Sequence, residues 1–222
     1  MNYNKYFDHT LLKPNATKEM IDKLINEAIT NNFKSICVNP TWVKYSKEKL
    51  KNSDILVCCV IGFPLGANTT STKIFETKEV LSLGADEIDM VINIGKLIDQ
   101  EYQYVLDEIS DIKHICQDKV LKVIIETCLL NDEQKIKACQ LILQSKADYV
   151  KTSTGFSTKG ATIDDIKLLK SIVKNQCYIK AAGGIKSYND LINMINSGAN
   201  RIGSSNSVEI IKNKDKEHKD IY

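Results

Sequence analysis

Short apolar, β-branched runs recur along the chain at Phe7–Leu12, Ser35–Asn39, Leu56–Phe63, Glu87–Asn93, Leu121–Thr127, Tyr149–Thr154, Tyr178–Ala182 and Arg201–Ser204. Their centres lie about 22 to 34 residues apart, room for one strand and one helix each. Between the runs the period changes. In Met20–Ile29 the apolar positions are 21, 24, 25, 28 and 29, the spacing of one buried helix face. Ile163–Val173 repeats the pattern at 166, 169, 172 and 173. Leu83-Gly84-Ala85-Asp86, Ser145-Lys146-Ala147-Asp148 and Ser197-Gly198-Ala199-Asn200 each lead from a helical stretch into a strand. Glycine there suits a left-handed C-cap, and Lys146 suits it less well. Eight βα units with no linker predict an α/β chain folded as a single-domain TIM (β/α)8 barrel over residues 1–211, followed by a polar, flexible tail at 212–222. A doubly wound open sheet is the alternative. It lacks support because no Gly-x-Gly-x-x-Gly follows the first strand.

Composition narrows the partners. Hydrophobic residues make up 43% of the 222, ordinary for a globular chain, and the net charge is only +2. Basic residues are scattered among acids, so no nucleic-acid partner is expected. No apolar run approaches the ~18 residues of a membrane span, and residues 1–6 form no signal-peptide core. The seven cysteines are odd in number and form no Cys-x-x-Cys pair. They read as small buried hydrophobes in a reducing cytoplasm. His9, His114 and His218 show no metal-ligand spacing, so neither metal nor cofactor is expected. Oligomeric state is left open, a homodimer or a higher homo-oligomer being compatible with the chain.

The chemistry begins with a charge in an awkward place. Lys151 sits in Tyr149-Val150-Lys151-Thr152-Ser153-Thr154-Gly155, a strand pattern running into a turn. Lysine is almost never fully buried without a partner. Lys180 repeats the situation in Tyr178-Ile179-Lys180-Ala181-Ala182-Gly183-Gly184. Alternation puts Lys151, Ser153 and Lys180 in the barrel interior, with Val150, Thr152, Ile179 and Ala181 facing the helices. In Glu87–Asn93 the apolar Ile88, Met90 and Ile92 share the outer face, so Asp89 points inward with Glu87, Val91 and Asn93.

A free lysine amine has a pKa of about 10.4 and is almost wholly protonated at neutral pH. A like charge and partial burial both favour the neutral amine, and a drop of about 3 units makes it a competent carbonyl nucleophile. Lys180 is expected to supply that charge and Asp89 to balance the cluster. The alternative is a structural salt bridge between Asp89 and one lysine.

Gly183-Gly184 after the seventh strand and Gly203-Ser204-Ser205-Asn206 after the eighth precede a short helix at Ser207–Ile211. Barrels bind phosphate at this place. Asp8 closes the first strand's polar triplet, either as a site residue or as a strand-end hydrogen bonder. Cys37 reads as core rather than nucleophile.

At these residues the chain resembles the deoxyribose-phosphate aldolase family of class I, Schiff-base aldolases. The resemblance runs in order through Asp8-His9-Thr10-Leu11-Leu12, Ile36-Cys37-Val38-Asn39-Pro40, Val60-Ile61-Gly62-Phe63-Pro64-Leu65-Gly66, Glu87–Asn93, Val150–Phe156, Lys180–Ile185 and Arg201-Ile202-Gly203. It implies a TIM barrel that reversibly cleaves 2-deoxy-D-ribose 5-phosphate to D-glyceraldehyde 3-phosphate and acetaldehyde. It further implies Lys151 as the Schiff-base lysine, Lys180 and Asp89 as the proton-transfer pair, and Asp8 and Cys37 as lining residues. Gly155, Gly183, Gly184, Gly203 and Ser205 would cradle the phosphate, and Ser204 and Asn206 are further substrate-binding candidates from their place after the eighth strand.

The chain departs from the family pattern at Lys186, where arginine is common, at Asn206-Ser207, and at Lys159 in a loop that is usually glycine-rich. Another Schiff-base phosphosugar aldolase and a non-catalytic sugar-phosphate-binding barrel are the competing readings. Tyr222 is a last candidate, either folding back over the barrel mouth to assist proton transfer or lying in a loose terminus.

Overall fold

The structure, a computed structural model, describes residues 3–213. Tyr222 and the rest of the tail from residue 214 lie outside the described residues. Eight parallel strands close a barrel in chain order. They are β1 (Phe7–Leu11), β2 (Ser35–Val38), β3 (Leu56–Ile61), β4 (Glu87–Val91), β5 (Val120–Ile124), β6 (Tyr149–Lys151), β7 (Tyr178–Ala182) and β8 (Arg201–Ser204). Around them run α1 (Lys18–Thr30), α2 (Val43–Lys49), α3 (Thr70–Ser82), α4 (Ile94–Ile98), α5 (Tyr102–Cys116), α6 (Asp132–Ser145), α7 (Ile163–Val173), α8 (Tyr188–Ser197) and α9 (Ser207–Lys212).

Local chemistry sets the helix starts. Thr17, Thr69 and Thr162 each accept a backbone N–H at a helix N-cap, while Asn131 with Gln134 and Ser187 with Asp190 form capping boxes. At the expected C-caps Gly84 and Gly198 take positive φ, and Lys146 takes φ 60° without glycine's freedom.

The outward faces of the strands, including Ile88, Met90, Val150, Ile179 and Ala181, pack with the helices into one apolar layer. Burial of that layer drives closure, at roughly 25 cal/mol per Å² of apolar surface. The barrel interior is different. Its apolar part is a small group of Leu12, Cys37, Cys58 and Val60 under Phe63, and most of what remains is charged.

Several strands end earlier than their apolar runs. β6 stops at Lys151 rather than Thr154, and beyond it the Thr152 hydroxyl bonds to the β7 backbone. Thr152 Oγ1 accepts the Ala182 N–H at 3.2 Å and lies 3.3 Å from the Ala182 carbonyl. β4 stops at Val91, and Asn93 is the N-cap of α4 instead of an inward strand residue.

Candidate active site

The register aligns Lys151 on β6 with Lys180 on β7, and Lys180 with Arg201 on β8. Asp89 on β4 aligns with Lys122 on β5. Their side chains meet in the closed interior. Asp89 Oδ2 accepts from Lys151 Nζ at 2.6 Å and from Lys180 Nζ at 2.7 Å, while Asp89 Oδ1 accepts from Lys122 Nζ at 3.0 Å and from the Cys58 thiol at 3.1 Å. Asp8 lies 2.5 Å from Lys180 Nζ and accepts from Arg201 Nη1 at 2.6 Å and from Ser35 Oγ at 2.7 Å. Glu87 sits beneath, 2.6 Å from Lys122 Nζ and 3.0 Å from Arg201 Nη1. Arg201 also donates to the Tyr149 hydroxyl at 3.3 Å.

Every member of this cluster is buried. Burial raises the Asp89 carboxyl, but Lys122, Lys151 and Lys180 together outweigh it and hold it well below the usual carboxylate range. Asp8 is likewise raised by burial and then pulled far down by Lys180, Arg201 and Lys122. Burial lowers Lys180, but Asp8 and Asp89 more than reverse this and hold its ammonium above its ordinary value, and Lys122 is held up in the same way by Asp89 and Glu87.

Lys180 is therefore not balanced by Asp89 alone, as the sequence suggested. Its charge is answered by two carboxylates. The salt-bridge alternative understated the case, since both lysines bond to Asp89. Three carboxylates (Asp8, Glu87, Asp89) face four cations (Lys122, Lys151, Lys180, Arg201), leaving one positive charge in excess.

Above the cluster, at the C-terminal ends of the strands, opens a cavity of about 410 Å³. Lys151 lines it, but Asp89, Lys180, Asp8, Lys122 and Cys37 do not. Lys151 is thus the residue through which the buried cluster meets the cavity. On the other walls stand Gly155, Gly183, Gly184, Gly203, Ser204, Ser205 and Asn206, with Lys13 and Lys186. A side chain at Gly203 would meet Lys180 Cε at 3.1 Å, so glycine there leaves room for the buried lysine. The Ser204 hydroxyl is already engaged, donating to the Ile185 carbonyl at 3.2 Å and accepting the Asn206 N–H at 3.0 Å.

Cys37, Ser153 and Lys159 stand apart from the wall of this cavity. Cys37 lies below the cavity, its thiol held under its ordinary pKa by a hydrogen bond with Cys58 that outweighs burial. Ser153 is fully buried and its hydroxyl has no hydrogen-bond partner among the described residues. Lys159 lines a separate cavity of about 330 Å³ with Thr127 and Cys128, away from Lys151.

Lys122, Arg201 and Glu126 were missed from the sequence. Lys122 carries the same signal as Lys151, a charge between apolar residues in Val120–Ile124. Arg201 opens its strand, where a charge is unremarkable.

The model of the DeoC/LacD family aldolases matches residues 3–206. A deoxyribose-phosphate aldolase of Metamycoplasma arthritidis is 54% identical over 216 residues, covering 97% of this chain and all of the relative. One from Staphylococcus saprophyticus is 56% identical over 212 residues, covering 96% of each chain. Among solved structures, the tetrameric deoxyribose phosphate aldolase of Aeropyrum pernix superposes with a TM-score of 0.90 at 31% identity, over 96% of this chain and 91% of that one.

Proposed function

The chain belongs to the DeoC/LacD aldolase family, and from that premise we propose a Schiff-base cleavage in which Lys151 is the nucleophile. The enzyme reversibly cleaves 2-deoxy-D-ribose 5-phosphate to D-glyceraldehyde 3-phosphate and acetaldehyde. The observation that carries the mechanism is the position of Lys151, the one amine of the buried cluster on the cavity wall, 2.6 Å from Asp89.

The Lys151 amine in its neutral form is the nucleophile. It attacks C1 of the open-chain sugar, and the carbinolamine loses water to give an iminium. The Lys180 ammonium donates the proton to that leaving hydroxyl, and Asp89 orients both lysines. A water linked to Asp89 and Lys180 then takes the C3 hydroxyl proton. The C2–C3 bond breaks because the two-carbon product carries C1 and C2. Its electrons enter the iminium, glyceraldehyde 3-phosphate leaves, and an enamine stays on Lys151. Protonation at C2 and hydrolysis return acetaldehyde and the free amine.

The phosphate sits against the backbone of Gly155, Gly183, Gly184, Gly203, Ser204 and Ser205. Lys186 answers its charge as a point charge rather than an arginine fork. Asn206, on the same cavity wall, completes the proposed phosphate site. The seven cysteines are all free, which supports a cytoplasmic setting, and among the described residues no helix is long and apolar enough to cross a membrane. The tetramer of the Aeropyrum pernix relative supports a homo-oligomer.

Borohydride reduction in the presence of acetaldehyde tests the reading. A two-carbon adduct at Lys151, absent in Lys151→Arg, is expected by peptide mass spectrometry. An unmodified Lys151 in a sample that turns over the sugar phosphate overturns the mechanism.

A further inference from the structure

Glu126 follows β5 at the barrel's catalytic end and combines three features that rarely coincide. The residue is only 3% exposed. Its backbone is left-handed, at φ 51° and ψ 67°. Its partners are all neutral: it accepts the Thr154 N–H at 3.2 and 3.3 Å, the Thr154 hydroxyl, and a long contact from the Cys128 thiol at 3.9 Å. Among the described residues it has no cationic partner. Buried carboxylates are normally paired with a charge, and left-handed backbone normally falls to glycine.

The ladder beside it explains the conformation. Ile125 N–H donates to the Lys151 carbonyl at 3.1 Å, and Thr127 N–H donates to the Thr152 carbonyl at 2.9 Å. Two steps along the β5 side thus match one step along the β6 side, which is a bulge. Bulges beside active sites re-aim a side chain. Here the bulged residue is Glu126, and it is aimed at Thr154.

Thr154 lines the Lys151 cavity. With its hydroxyl proton given to Glu126, its oxygen accepts the Phe156 N–H at 3.0 Å. That bond closes a turn over Gly155, which has φ 84° and nothing within 4 Å of where a Cβ would stand. One carboxylate therefore fixes the backbone N–H, the hydroxyl orientation and the turn immediately after the nucleophile's strand.

We propose that Glu126 is a positioning residue that holds the Thr154-Gly155-Phe156 turn in the geometry that receives the substrate's phosphate end. The inference rests on the proposed function. Glu126 touches no reacting atom and acts through Thr154.

The test compares kcat/KM for 2-deoxyribose 5-phosphate with that for unphosphorylated 2-deoxyribose. In Glu126→Ala this ratio falls by on the order of 10- to 100-fold, the scale set by misplacing a preorganised contact. Glu126→Gln, which keeps a carbonyl acceptor for Thr154, restores most of the ratio. Thr154→Val, which removes the other half of the contact, lowers the ratio as Glu126→Ala does, and the two changes are not additive. A purely structural role moves both substrates together and leaves the ratio unchanged in folded Glu126→Ala or Thr154→Val, and that result overturns the inference. If the wild-type chain fails to turn over the sugar phosphate, the functional reading falls and this inference falls with it. Wild-type turnover with an unchanged ratio removes the inference alone.

Discussion

At the scale of single residues, the interior works by compensated charge. Lys122 is fully buried between Glu87 and Asp89, at 2.6 and 3.0 Å. Lys122→Met fits the space with an apolar chain but leaves two buried carboxylates short of a cation. Breaking a buried pair on one side costs about 3–5 kcal/mol, so the urea midpoint is expected to fall sharply. Asp89 also loses one of the charges that hold it ionised, so kcat is expected to fall in the fraction that stays folded. A variant as stable as wild type would show that the Lys122 ion pairs do not hold the barrel together. Lys151, Lys180 and Asp89 were legible because a strand exposes the parity of its residues. Glu126 was not, since it stands at the end of an apolar run where a carboxylate reads as the start of a loop. Only the bulge turns it inward.

At the scale of elements, two loops are joined by a close backbone approach. Ala161 N–H reaches the Ala182 carbonyl at 3.0 Å and the Gly183 carbonyl at 3.1 Å. A side chain on Gly160 would lie 2.2 Å from the Gly183 carbonyl carbon and oxygen. Gly160→Ala is therefore expected to push the Gly183-Gly184 loop away from the β6–α7 loop. The KM for 2-deoxyribose 5-phosphate rises about tenfold or more, equal to ~1.4 kcal/mol of lost contact. Borohydride trapping with acetaldehyde, which has no phosphate, continues. Loss of both together would mean that the loops hold the barrel itself. Gly160 gave no signal in the sequence, because its partner lies in the next loop and is invisible to local spacing. The Lys73–Glu108 pair behaves similarly. Both residues are buried, 2.9 Å apart, tying α3 to α5, and they bond to the Val91 carbonyl and the Asn93 N–H at the end of the strand that carries Asp89.

At the scale of the whole molecule, the charged interior makes stability depend on pH in two steps. His9 is lowered by burial, which outweighs its bond to Glu27. A depressed histidine stabilises above its unfolded pKa of about 6.5, and that contribution is lost as pH falls below it. Asp8 and Asp89 are depressed too, so their contribution is present above about pH 4 and is lost as pH falls further. Urea unfolding at a series of pH values is expected to show a shallow decline below pH ~6.5 and a steep one below pH ~4. His9→Gln removes only the first, and a steep loss already complete by pH ~5 would contradict the assignment of the second. The sequence by itself determined the eight βα units, the barrel class and the inward placement of Lys151, Lys180 and Asp89. These follow from periods of 2 and 3.6 residues, which are local properties of the chain. Tertiary structure decided the rest. Closure of β1 against β8 brings Asp8 and Arg201, 193 positions apart, to 2.6 Å. Whether a lysine is a lone charge, a paired one or the one at the cavity depends on distances across the barrel, which no spacing along the chain contains.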